Sequence, residues 1–107
     1  MPIQSNTFVS FINDNGQYCI GRIIKFSQHG LVMRPLERCR IPDLGETGSL
    51  VVNFGSKAQG HRAFTAWAEI GDSSDSCVDF YFREMDQVSQ KTLMEMLEFE
   101  KSTAHAA

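Results

Sequence analysis

No apolar run in this chain approaches the roughly 18 residues that a helix needs to cross a bilayer, and the N-terminus lacks the charged-then-apolar pattern of a secretory leader. Membrane insertion and secretion are therefore not expected, and a cytoplasmic location is. Cysteine is sparse: Cys19, Cys39 and Cys77 form an odd, widely spaced set without a Cys-x-x-Cys pair. That spacing excludes a disulfide framework or a zinc knuckle and predicts reduced, partly buried thiols. Excess basic charge is missing as well, with 10 Lys and Arg against 13 Asp and Glu, a net charge of −3 and a pI near 5.5. Gripping a phosphate backbone demands a basic face, so bulk nucleic-acid binding is not expected.

Catalytic signals are equally thin. His29, His61 and His105 stand apart from one another, with no nucleophile motif beside them, no paired carboxylates at a working spacing and no His or Cys cluster to hold a metal. Gly-rich nucleotide loops of the Walker or Rossmann type do not occur. The expectation is a protein without catalytic activity, metal or cofactor.

What the chain does have is short alternating strands. Its 107 residues are 42% hydrophobic and include eight Phe, enough for a single core. Thr7 to Ile12, the turn Asn13-Asp14-Asn15-Gly16 and Tyr18 to Phe26 read as a hairpin, with Asn15-Gly16 supplying the positive-φ dipeptide. Leu31 to Arg34 continues the sheet. After the Pro42 to Gly48 loop, Leu50, Val52 and Phe54 share one parity, as do Val78, Phe80 and Phe82 later, and these residues are expected to face the core.

Between them, a loop at Lys57 to His61 leads to a strand over Arg62 to Ile70, followed by a polar break from Asp72 to Ser76. Phe64, Ala66, Ala68 and Ile70 signal one inward face, which would leave Trp67 outside as a neighbour of Tyr81 and close to Arg83. A slip of one residue would exchange the two faces, and the sequence leaves both registers open. From Val88 to about Lys101 the period becomes helical, with Lys91, Glu95 and Glu98 on one side and a broad apolar arc including Leu93, Met94, Met96 and Leu97. Asp86 or Ser89 is the expected cap. The fold class is mainly β: a small six-stranded antiparallel barrel with a C-terminal α-helix, residues 1–101 forming one domain and 102–107 a frayed tail.

The segment that carries most information is Lys25-Phe26-Ser27-Gln28-His29-Gly30, which joins two strands through a Ser-x-x-Gly turn. Gly30 is expected to take positive φ there, and Ser27 to hydrogen-bond the turn backbone. With Gly48 opening a strand, Phe82 closing the last one and a terminal helix, the order resembles the PilZ domain family over nearly the whole chain. That resemblance implies a small β-barrel of bacterial cyclic di-GMP signalling, in motility, type IV pilus biogenesis or biofilm control.

The family reads the nucleotide with an Arg-x-x-x-Arg segment before the first strand and with (Asp/Asn)-x-Ser-x-x-Gly. Met1 to Asn6 contains no arginine, and Lys25 stands at the acidic or amide position. Lysine donates only, and cannot accept from guanine N–H groups. Arg34-Pro35-Leu36-Glu37-Arg38 matches the first spacing, yet it follows the turn and reads as a solvated loop in which Pro35 prevents ladder pairing.

Three readings follow. The first is a regulatory domain that has lost the nucleotide motifs and acts through a protein partner, with Trp67, Tyr81 and Arg83 or the C-terminal helix as its interface. The second is a cyclic di-GMP receptor with a divergent site built from Arg22, Lys25, Ser27, Gly30, Arg34 and Arg38. The third is an unrelated small nucleic-acid- or protein-binding barrel.

Overall fold

Alternation of apolar and polar residues lets a strand bury one face, and six such strands here roll that face into a closed interior. A computed structural model of the protein describes residues 7–36, 40–56, 60–74 and 76–106, with no description of the side chains at 55, 56, 60, 61 and 99–106. The strands are β1 (Phe8–Asn13), β2 (Tyr18–Phe26), β3 (Gly30–Pro35), β4 (Thr47–Ser56), β5 (Gly60–Ser73) and β6 (Val78–Glu84), followed by the helix α1 (Gln87–Ala106). All neighbours are antiparallel in the order β1-β2-β3-β6-β5-β4, and β1 pairs with β4 to close the circuit.

The inward set is the one alternation selects. Val9, Phe11, Leu50, Val52, Phe64, Ala68, Ile70, Val78 and Phe80 are buried, while Phe54 and Phe82 are half-buried at the margin of the same cluster. Phe11 and Phe80 meet across the barrel with ring centroids 5.2 Å apart. Each such buried side chain contributes roughly 1.5–3 kcal/mol. The register of β5 is now fixed: Phe64, Ala66, Ala68 and Ile70 are inside, and Trp67 is outside.

Several expectations need correcting. Strand β5 runs on through Asp72 to Ser73, past the expected polar break, because bulges at Trp67/Ala68 and Ile70/Asp72 let it curve and keep pairing with β6. Arg34 belongs to β3, as expected of the strand from Leu31, and Pro35, expected in a loop, belongs to it as well. Pro35 is accommodated because the β3–β6 pairing ends at Met33, so its missing N–H is not needed there. Helix α1 extends to Ala106, through most of the segment expected to fray.

Strand β6 reaches only the second half of β5, from Trp67 onward. Helix α1 covers the first half. It buries Ser89, Thr92, Leu93 and Met96 against the barrel, and the Ser89 hydroxyl accepts the Thr65 backbone N–H at 3.1 Å. Arg62 on β5 adds an ion pair with Glu95. Asp86 is the cap, its carboxylate accepting the Ser89 N–H at 2.7 Å. Val88 and Met94, on the other side of the helix, remain exposed.

Candidate functional site

The turn between β2 and β3 is built as a short hydrogen-bonded reversal. The Ser27 N–H donates to the Gly30 carbonyl at 2.8 Å, and the Ser27 hydroxyl accepts the His29 N–H at 3.2 Å. Gly30 does not take the positive φ expected of it; Gly16 and Gly45 do, at 82° and 85°. Its requirement for glycine comes from β6, since a Cβ at Gly30 would run into the Phe80 carbonyl. Lys25, Ser27 and Gly30 line a depression of about 260 Å3 together with Asp79 and Tyr81.

Lys25 reaches this outer surface through a bulge. Arg22 and Lys25 are three residues apart and would face opposite sides of a regular strand, but the register of β2 against β3 shifts between Ile23 and Lys25. Both side chains are thereby exposed. Lys25 pairs with Val32, which pairs with Asp79, so a cation and a carboxylate flank one valine on the same outer row. Arg22 stands opposite Arg34, away from the depression, and its guanidinium lies 5.5 Å from the Phe8 ring centroid. Arg38 lies outside the described residues.

The three expected interface residues divide between two places. Trp67 is 39% exposed and lines an open groove of about 700 Å3 with Arg83, Glu84 and Gln90, between the barrel and the start of α1. Tyr81 belongs instead to the depression at the turn, and its ring covers Gly71. The two aromatics are not direct cross-strand neighbours: Trp67 pairs with Glu84 and Tyr81 with Glu69, on either side of the Trp67/Ala68 bulge. Arg83 binds Glu69 at 2.6 Å on the same face.

The most perturbed carboxyl was not anticipated from the sequence. Glu46, just before β4, has its pKa pulled down to about 2, first by the hydrogen-bonded Arg40 guanidinium and then by the Asp43 N–H and the Asn13 amide. It ties the β3–β4 loop to the β1–β2 turn. Asp79 was missed for a different reason, because only the pairing of β3 with β6 brings it beside the turn. Among the described residues, no group of three or more His, Cys, Asp or Glu is placed to hold a metal. No helix among them is long and apolar enough to cross a membrane. In comparisons with known proteins the chain matches no family model, no curated protein and no solved structure.

Proposed function

We propose that this chain is a non-enzymatic regulatory or adaptor domain of the PilZ kind, acting in the cytoplasm within cyclic di-GMP-linked bacterial signalling through contacts with a protein partner. The observation that carries the reading is Trp67, exposed beside Arg83 in an open groove, since tryptophan and arginine are the residues that most often dominate protein interfaces. The element order and the Ser27-to-Gly30 turn support the family assignment.

Two features weigh against nucleotide capture at that turn. Lys25 replaces the acceptor that would read guanine, and a depression of about 260 Å3 falls below the roughly 300–1,000 Å3 of ordinary small-molecule sites. Calorimetric titration with cyclic di-GMP, at low and at physiological salt, is expected to show no heat up to millimolar ligand. Micromolar binding lost in Arg22→Ala or Lys25→Ala would replace this reading with a divergent receptor. For the contact itself, a photo-crosslinker at position 67 in cells is expected to trap one defined protein, and Arg83→Gln to abolish the product while the domain still unfolds cooperatively, since the exposed Arg83–Glu69 pair adds little to stability. A crosslinker that traps nothing would leave Trp67 without a role in contact.

A further inference from the structure

The outer face of β1, β2 and β3 carries a second feature that the Trp67 groove does not use. Arg22 and Arg34 are directly opposed across β2 and β3. Directly opposed residues on one face of an antiparallel pair place their Cβ atoms about 4.5–5.5 Å apart, and like charges there repel. Elsewhere the described arginines are matched: Arg40 with Glu46, Arg62 with Glu95 and Arg83 with Glu69. Arg22 and Arg34 have no carboxylate partner among the described residues, although the chain carries 13 acidic residues. Stacking on Phe8 holds the Arg22 fork on the surface.

An exposed apolar residue stands two positions along the chain from each arginine. Ile24 and Leu36 are each 41% exposed, and Leu36 continues the ladder by donating its N–H to the Ile20 carbonyl at 2.9 Å. Two guanidinium groups without a carboxylate partner among the described residues, each with an exposed aliphatic residue two positions away, match a segment that alternates carboxylates with apolar side chains. A carboxylate between the arginines would accept from both forks and remove their mutual repulsion.

We infer that the Arg22–Arg34 pair is a docking site for an acidic, aliphatic segment of a partner protein, held by carboxylate to guanidinium bonds and seated on Ile24 and Leu36. This adds a second surface to the protein-contact reading and names the chemistry of what binds there. It rests on that reading only in requiring a protein partner, and its test does not involve Trp67.

The probe is a fluorescein-labelled octapeptide of alternating Glu and Leu, followed by anisotropy with the full chain at low salt. Binding is expected to weaken at least tenfold in Arg34→Glu, to weaken similarly in Arg34→Gln, to fall as salt rises, and to be unchanged in Lys91→Ala. A Gln-for-Glu version of the peptide should not bind. Equal affinity for wild type and Arg34→Gln, equal affinity for the Gln peptide, or no binding at millimolar peptide would each overturn the inference. So would displacement of the peptide by cyclic di-GMP through the same arginines, or a dimer in sedimentation that Arg34→Gln dissolves, since either would assign the pair another occupant.

Discussion

The Ser89 hydroxyl on α1 accepts the backbone N–H of Thr65 on β5, and in doing so the helix stands in for the strand that β6 is too short to supply. A backbone donor on an uncovered strand would otherwise need water, and Ser89 is buried.

Ser89→Ala is therefore expected to cost about 1 kcal/mol, the scale of losing one part-buried hydrogen bond. Urea unfolding followed by circular dichroism measures it. Thr65 is the informative probe in hydrogen exchange: its amide should lose protection in the variant while the amides of the β1–β4 ladder keep theirs. Equal loss across the barrel would mean that the helix is not docked through this bond.

The Glu46 network sets an acid limit. The folded-state pKa of Glu46 lies near 2, below its ordinary value of 4.5, so the unfolded chain takes up this proton first as pH falls. The stabilisation is complete above about pH 4.5 and is lost progressively between there and about pH 2. Because Arg40 is partly exposed, solvent screens the pair and its contribution is smaller than the shift alone would give. In Glu46→Gln, thermal melts at neutral pH should fall, and the slope of stability between pH 4.5 and pH 2 should become shallower than in wild type.

Gly30 and Gly16 need glycine for different reasons, and alanine separates them. Gly30→Ala pushes a methyl group against the Phe80 carbonyl and is expected to cost about 2–3 kcal/mol through overpacking. Gly16→Ala meets no atom within 4 Å but strains a residue whose φ is 82°. It should cost only about 1–2 kcal/mol. Chemical denaturation of the two variants side by side checks the order.

Arg34→Glu puts a carboxylate opposite Arg22 and turns a repelling pair into an attracting one. Stability should rise by about 0.5 kcal/mol, the scale of a favourable cross-strand pair over an unfavourable one. A higher midpoint in urea together with loss of acidic-peptide binding would mark a surface arranged for recognition at some expense of stability.

How far the sequence discloses this molecule depends on whether a feature is local. Period-two runs such as Leu50-Val51-Val52 and Val78-Asp79-Phe80 state their own inward faces, and Asn15-Gly16 declares its hairpin, so the barrel and its core are legible. Bulges carry no such mark. The one at Ile23/Lys25 decides that Lys25 shares the outer surface with Arg22, and the one at Trp67/Ala68 moves Tyr81 away from Trp67. Asp79 joins the turn depression, and Arg22 faces Arg34, only because of pairings between strands. Gly30 was legible as an obligatory glycine, but its reason sits on β6, some fifty positions further along the chain.

Since β1 zips to β4, the two strands that would otherwise be terminal satisfy each other's backbone. A partner meeting these strands has no vacant row of amides and carbonyls to extend, so attachment by adding a further strand is closed off there. Recognition on that part of the surface has to be written in side chains, and β1 and β4 give fibril growth no template to copy.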